Sequence, residues 1–310
     1  MKIADVPFPR LCEDLAGAGV AFRVGPYAAR LRSPIRPVAD GLALVGAHHS
    51  CVDLDAFIDF DIEIRPCAAP RPLFPRDARV LVDGFSPFKP FAIEQSYAMF
   101  EWSLNWCIAT RSDRSLLVHS AVIERGGKAL LLPAPPGSGK STLCAALVCR
   151  GWRLLSDEVA VLTTTGELIP IPRPVSLKNA SIDVIRRFTA EAVIGGTARE
   201  TLKGTVAYMR PPADSIDRQA EPARPRWIVF PKYESGAALR FEPYSKARTL
   251  VYLAHNSFNY HIHGARGFEL LGNILDHCDC YNLSYGSLED ALTCIEGLAA
   301  TADQEPLTAA

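Results

Sequence analysis

The stretch KALLLPAPPGSGKSTLCAALVCRGWRLLSDE, residues 128–158, decides the fold. It opens with an apolar run typical of a buried strand, passes through a loop rich in Gly and Pro, and continues as a helix that ends at Gly151. A second apolar run, Trp152 to Leu155, then leads into two adjacent acids. Strand, loop, helix and strand in this order predict an α/β core, with strands at 128–133 and 152–163 and a helix at 140–150.

The loop between the first strand and the helix has the chemistry of a phosphate-binding loop. It follows the pattern G-x-x-x-x-G-K-[ST], with alanine in place of the first glycine. Two glycines let successive N–H groups wrap a β-phosphate, and the following helix adds its positive end. A chance glycine-rich turn is the alternative, and the strand–loop–helix context disfavours it. The predicted nucleotide-binding residues are Ala134, Pro135, Pro136, Gly137, Ser138, Gly139, Lys140, Ser141 and Thr142.

Catalytic roles are predicted for residues in and around this loop. Lys140 is placed to reach the β- and γ-phosphate oxygens, and Ser141 to hold Mg²⁺ through its hydroxyl. Asp157 and Glu158 end the next strand, so both acids are expected at the same sheet edge as the loop. We expect Asp157 to bind the metal with Ser141, and Glu158 to accept the proton of an attacking hydroxyl. The alternative is a solvated turn that happens to carry two acids.

His119 ends the strand before the hairpin that leads into the loop. Its imidazole is expected over the γ-phosphate, or as a proton relay to the two acids. The alternative is a structural histidine, which is the commoner role for a lone histidine near a strand end.

The rest of the chain predicts two domains. Residues 1–112 are predicted to form a β-rich domain of unknown role, with strands at Gly19–Val24, 42–45 and 59–64 and a mostly buried helix at 95–109. Residues 113–310 are predicted to form the phosphate-loop domain. Within it, residues 195–226 combine Gly and Pro pairs with little apolar content, which predicts a mobile segment or lid.

Composition excludes several classes of protein. The chain has 310 residues and a net charge of −1, so it lacks the broad basic field that nucleic acid or an anionic membrane surface would need. Its apolar runs are far shorter than the roughly 20 residues of a membrane span. Its nine cysteines are scattered, several of them within apolar runs, which is typical of unpaired thiols in a reducing compartment. These features predict a cytoplasmic protein.

Three segments of the chain resemble the catalytic domain of HPr kinase/phosphorylase, and the whole chain looks more closely like the group called HPr kinase-related kinase A. The segments are residues 118–121, 136–142 and 150–158. The resemblance implies a phosphate-loop fold shared with phosphoenolpyruvate carboxykinase, ATP as donor, and Mg²⁺ as cofactor. It also implies roles for His119 and for Asp157 with Glu158, whose intervals to Lys140 match those of the family. Ser120 stands where the parent family has glycine, and Glu158 where it has a second aspartate.

Five residues beyond the acids are candidates for contact with substrate. Arg173 and Lys178 lie on the segment that returns after the acid pair, where a cation can neutralise a transferring phosphoryl group. Asn179 follows directly. Lys203 and Arg210 fall in the predicted lid, and the alternative for all these cations is an exposed side chain without a specific role.

The sequence therefore predicts an ATP-dependent kinase that phosphorylates a hydroxyl group. The acceptor is expected to be a serine of a peptide or small protein, or a small hydroxylated metabolite, and no nucleic-acid or membrane partner is expected. The sequence is compatible with a homo-oligomer. An ATP-binding or ATP-hydrolysing switch without a phosphoryl acceptor is the alternative, and so is a nucleotide-binding module without catalysis.

Overall fold

The structure, a computed structural model, describes residues 1–68 and 77–302. These residues form a mixed α/β protein. The strands of the described residues, in chain order, are β1 (Val20–Val24), β2 (Tyr27–Arg32), β3 (Phe60–Pro66), β4 (Asp77–Val82), β5 (Phe91–Ala92), β6 (Leu116–His119), β7 (Ala121–Arg125), β8 (Lys128–Leu132), β9 (Arg153–Ser156), β10 (Val159–Leu162), β11 (Leu168–Ile169), β12 (Val175–Lys178), β13 (Ala198–Thr201), β14 (Gly204–Met209), β15 (Arg224–Tyr233), β16 (Arg240–Pro243) and β17 (Asp279–Tyr285). Their α-helices are α1 (Phe8–Ala16), α2 (Arg36–Val45), α3 (Ser96–Arg111), α4 (Lys140–Cys149), α5 (Ala180–Phe188), α6 (Ala213–Asp217), α7 (Lys246–His255), α8 (Tyr260–His277) and α9 (Leu288–Ala302).

The chain divides into two compact units. The first combines Met1–Arg111 with Ile171–Ala220, and the second combines Ser112–Pro170 with the chain from Glu221 onward. The boundary after residue 111 lies next to the predicted one at 112. Residues 171–220, however, were predicted to belong to the phosphate-loop domain, and they belong to the first unit instead.

The reason for this difference is burial within the first unit. Val206 and Tyr208 of β14 share a buried apolar cluster with Val45 of α2 and Ala98 of α3. The segment therefore completes a core that the first 111 residues begin, a long-range pairing that no local pattern in the sequence announces.

The first unit is less β-rich than predicted, because three of its helices lie within residues 1–111. Its five-stranded sheet has the order β1-β2-β3-β4-β5, in which only β2 and β3 pair in parallel. The predicted strand at 42–45 is wrong: these residues end α2, whose buried positions Val38, Ala39, Leu42 and Val45 follow helical spacing. The predicted strand at 59–64 is confirmed as β3, which buries Phe60, Ile62 and Ile64 in alternation with its acids.

Residues 195–226 also differ from the loop that was predicted there. They contain β13, β14, α6 and the first residues of β15. Val206 and Ala207 are fully buried. Short strands separated by Gly and Pro carry few apolar residues each. A sequence pattern of this kind therefore resembles a loop even where the strands are buried.

The second unit is built on a six-stranded sheet of order β16-β17-β15-β8-β7-β9. β15 pairs in parallel with both β8 and β17, whereas β7 runs antiparallel to β8 and to β9. It follows that β8, β9, β15 and β17 all point the same way. Their carboxyl ends therefore lie at one edge of the sheet, which also contains the start of β7.

Helix α4 is buried on more than one face. Besides Leu143, Ala146 and Leu147, the structure buries Cys144, Ala145 and Val148. A helix that is apolar on every face must be enclosed by the rest of the fold. This burial fixes the position of α4, which directly follows the phosphate loop.

Within the described residues, no helix combines the length and the apolar character that crossing a membrane requires. All nine cysteines lie in the described part of the chain, and no disulfide joins them.

Candidate nucleotide and phosphoryl-transfer site

The predicted phosphate loop connects β8 to α4 and contains two glycines with positive φ, a conformation that anion-binding loops use. Gly137 and Gly139 adopt left-handed φ angles of 85° and 87°. The carbonyl of Gly139 accepts the Leu143 amide at 2.9 Å, which begins the helix. Ala134, which replaces the usual glycine, is not among the residues with positive φ, so its methyl group adds no backbone strain. The alanine is therefore compatible with this loop.

Two tyrosines support the loop from the ends of neighbouring strands. The Tyr233 amide, at the end of β15, donates to the Ser138 carbonyl at 3.0 Å. A Cβ atom at Gly139 would lie 2.7 Å from the Tyr285 hydroxyl and 3.0 Å from the Tyr233 Cβ. Gly139 is thus required both for its φ angle and for space. Burial raises the pKa of Tyr285, with a smaller contribution from Tyr233, so the phenol is neutral.

The acid pair lies in a tight turn between β9 and β10. The Ser156 hydroxyl accepts the Val159 amide at 3.1 Å and closes this turn around Asp157 and Glu158. Asp157 is buried and Glu158 is half-buried. Because β9 points the same way as β8, the turn and the phosphate loop lie at the same edge of the sheet, as predicted for the two clusters.

His119 joins the phosphate loop and the acid turn by hydrogen bonds. Its Nδ1 lies 3.0 Å from the Glu158 carbonyl oxygen, which can only accept, so Nδ1 carries the proton. Its Nε2 lies 2.9 Å from the Lys140 ammonium nitrogen, and in the neutral ring Nε2 accepts that bond. His119 is thus the neutral Nδ1–H tautomer, and it links the lysine of the loop to the backbone of the acid turn.

Charged groups of the phosphate loop and of the acid turn shift the pKa of one buried thiol, Cys144. Burial, first of all, holds the pKa of Cys144 well above its usual value, the Asp157 carboxylate raises it further, and the Lys140 ammonium lowers it. Cys144 lies in α4, so both charged groups are near the first turns of this helix. A positive and a negative group therefore lie near one helix N-terminus.

The strand that carries His119 is held by residues 256–259. The His119 amide donates to the Asn256 carbonyl at 2.9 Å, and the Phe258 amide to the Leu117 carbonyl at 2.9 Å. The Phe258 ring meets the imidazole edge-on, with centroids 6.0 Å apart. The buried Asn259 side chain accepts the Leu117 amide at 2.9 Å. These contacts fix the position of the imidazole.

The five candidate substrate residues all lie in the first unit, so the structure does not place them with the phosphate loop in one compact unit. Arg173 is engaged by Glu101 at 3.2 Å and by the Asn105 side chain at 3.0 Å. The Asn179 side chain accepts the Thr205 amide at 3.0 Å, beside Lys178 at the end of β12. The Lys203 ammonium lies 4.9 Å from the centroid of the Trp102 ring, and the Arg210 amide donates to Val193.

Sequence reasoning missed Tyr233 and Tyr285 as parts of this site. Each lies more than 90 positions from the phosphate loop along the chain. Their position beside the loop depends on a strand order that the sequence does not reveal. Ser156, directly before the acids, was recognisable as a turn-forming residue.

The oxygen-bearing side chains at this edge are the type of ligand that Mg²⁺ prefers. Ser141 in the first turn of α4 offers a hydroxyl, and Asp157 offers a carboxylate. The buried Ser138 hydroxyl has no hydrogen-bond partner, as expected of a group that faces a polar ligand. Among the described residues, no group of three or more His, Cys, Asp or Glu side chains is arranged to hold a metal ion.

Comparison with protein-family models and with curated proteins finds no match to this chain.

Proposed function

We propose that this protein is an ATP-dependent kinase of the P-loop type that transfers the γ-phosphoryl group to a hydroxyl acceptor. One observation carries the proposal: a glycine-rich loop, a lysine and two acids lie at one sheet edge, joined through a neutral histidine. The resemblance of the same segments to HPr kinase/phosphorylase supports it. The acceptor is a serine of a peptide or small protein, or a small hydroxylated metabolite.

The proposed role of each residue follows from the chemistry of its side chain or backbone. Backbone amides of residues 137–140 and the N-terminus of α4 hold the phosphates, and Lys140 binds the β- and γ-oxygens. Ser141 and Asp157 would hold Mg²⁺ together with phosphate oxygens, and the ion would neutralise charge on the phosphoryl group. The protein therefore contributes mainly position and charge, which is what phosphoryl transfer demands.

Glu158 acts on the acceptor side of this site, and His119 lies between the acid turn and Lys140. Glu158 is half-buried and accepts the proton of the attacking hydroxyl. His119 acts as a positioning residue, because its two ring nitrogens are occupied by Lys140 and by the acid turn. This assignment refines the proton relay that the sequence suggested for His119.

The experiment that tests the kinase uses ATP labelled on its γ-phosphate. The full-length protein is incubated with this ATP, magnesium and a cell extract fractionated by size. Label transferred to a macromolecular or a small-molecule fraction supports the kinase and identifies the class of acceptor. Release of free phosphate alone, with no labelled acceptor in any fraction, would refute the kinase and favour a switch.

Substitutions sharpen this experiment. Glu158→Gln keeps the size of the side chain and removes the base, so transfer is expected to fall about 10²- to 10⁴-fold with little change in KM for ATP. Lys140→Met is expected to weaken ATP binding as well. Glu269→Gln, an exposed acid on α8 of the same unit, is the matched control and should transfer at the wild-type rate.

A further inference from the structure

A cavity of about 260 Å³ opens within the first unit, between α2, the start of α3 and the β13–β14 hairpin. A water molecule occupies about 30 Å³ in the liquid, so the space accepts a small organic molecule. Every residue that lines the cavity belongs to the first unit. The phosphate loop takes no part in it.

Aromatic surface forms one wall of the cavity. The rings of Tyr97 and Tyr208 meet at 85° with centroids 5.7 Å apart. Their hydroxyls are already engaged, Tyr97 with Glu101 at 2.8 Å and Tyr208 with the Ala98 carbonyl at 3.4 Å. The two rings therefore offer the cavity their carbon surfaces and π electrons. Gly41 of α2 makes room for this wall, since a Cβ atom there would lie 2.2 Å from the Tyr97 ring.

The charged residues that line the cavity are acidic. Asp40 and Glu94 line it, and no Lys, Arg or His is among its lining residues. Both carboxylates are exposed, and Asp40 also pairs with Arg36 at 2.9 Å. Negative charge beside aromatic rings attracts an organic cation and repels an anion. A nucleotide or a phosphate does not fit this chemistry.

We infer that the cavity is a binding site for a small organic amine. Its ammonium group faces Asp40 and Glu94, and its apolar body packs on Tyr97 and Tyr208. This site gives the first unit a ligand of its own. It is independent of the proposed kinase activity, because no residue of the phosphate loop or of the acid turn contributes to it.

The test compares two probes of similar shape and opposite charge on the full-length protein. 2-Phenylethylamine and 3-phenylpropanoate are titrated by isothermal calorimetry at low ionic strength. The amine is expected to bind about tenfold more tightly than the carboxylate, and added salt should weaken its binding. Equal affinity for both probes, or no amine binding at millimolar concentration, would overturn the inference.

Substitutions locate the binding. Gly196 lines the cavity at ordinary φ, and a Cβ atom there would meet nothing within 4 Å. Gly196→Phe should therefore fold and fill the cavity, which abolishes amine binding, whereas Gly196→Ala should retain it. The double variant Asp40→Asn and Glu94→Gln should lose about fivefold to tenfold in affinity. Glu191→Gln, an exposed acid away from the cavity, is its control.

Two outcomes separate this inference from the kinase proposal. Lys140→Met should bind the amine as the wild type does, even if it no longer binds ATP. Amine binding that survives in Gly196→Phe, with an unchanged melting temperature to show that the variant is folded, would refute the assignment of the cavity and leave the kinase proposal untouched.

Discussion

Substitution of the two loop glycines by alanine tests the geometry on which the candidate site depends. Gly137 and Gly139 have nearly the same left-handed φ, 85° and 87°. A Cβ atom at Gly137 would meet nothing within 4 Å, whereas at Gly139 it would lie 2.7 Å from the Tyr285 hydroxyl and 3.0 Å from the Tyr233 Cβ. Both variants therefore lose stability because alanine is strained at this φ. Only Gly139→Ala loses further stability through steric contacts.

The expected magnitudes follow from these contacts. A left-handed φ costs an L-residue about 1–2 kcal/mol, which is the destabilisation expected for Gly137→Ala. Crowding adds about 1–3 kcal/mol at Gly139, so Gly139→Ala should lower the free energy of unfolding by about 2–5 kcal/mol. Tyr285→Phe removes the nearer contact and leaves the one with Tyr233. In a double-mutant cycle it should recover about 1 kcal/mol of the cost of Gly139→Ala.

The assay must report on the second unit alone, since two units need not unfold together. Trp152 and Trp227 lie in this unit and are buried, whereas Trp102 and Trp106 lie in the first unit. Replacing Trp102 and Trp106 by Phe leaves a fluorescence signal from the second unit, which is followed during urea unfolding. If Gly139→Ala proves no more destabilising than Gly137→Ala, or if Tyr285→Phe simply adds to it, the packing described for the loop is wrong.

Three further predictions concern the two units separately. Glu124 and Arg153 form a buried ion pair, so Glu124→Leu or Arg153→Met alone should cost about 3–5 kcal/mol in urea unfolding, and the double variant less than either. Asn259→Ala removes the side-chain acceptor of the buried Leu117 amide and should cost about 1–3 kcal/mol, with Asn256→Ala as a milder control in thermal unfolding; equal effects would contradict this. Burial holds the pKa of His49 at about 4, below its usual 6.5, so its stabilising contribution is complete above pH 6.5 and is lost as the pH falls toward 4. The free energy of unfolding, measured between pH 4 and 7, should rise with pH, and His49→Gln should reduce this dependence. An unchanged pH dependence in His49→Gln would refute the lowered pKa of His49.

The parts of the fold that the sequence predicted are those set by local chemistry. An apolar run, two glycines and a lysine are adjacent in residues 128–142, and β8, the loop and α4 appear at the expected positions. The acid turn follows from an apolar run that ends in polar residues. In each case the decisive residues lie within a few positions of one another, and no distant contact is needed to orient them.

The parts that the sequence did not predict depend on distant contacts. The segment 42–45 has the composition of a strand, but Val38, Ala39, Leu42 and Val45 form a buried helical face because the helix packs in the core of the first unit. Residues 171–220 join the first unit through Val206 and Tyr208, whose partners lie more than 100 positions away. Tyr285 reaches the phosphate loop only because β17 lies two strands from β8.

The order of the strands separates the phosphate loop from the acid turn at the candidate site. Since β7 lies between β8 and β9, the ends of those two strands are separated by two strand spacings, about 10 Å. A loop and a turn that far apart can act on one phosphoryl group only if side chains cross the gap. His119 is the last residue of β6, two residues before β7 begins at Ala121, and its two ring nitrogens reach both Lys140 and the acid turn. Lys140 has three N–H donors, so one can remain on His119 while the others bind phosphate oxygens. Under the proposed kinase function, the histidine at the end of β6 thus positions the lysine and sets its distance from the acid turn.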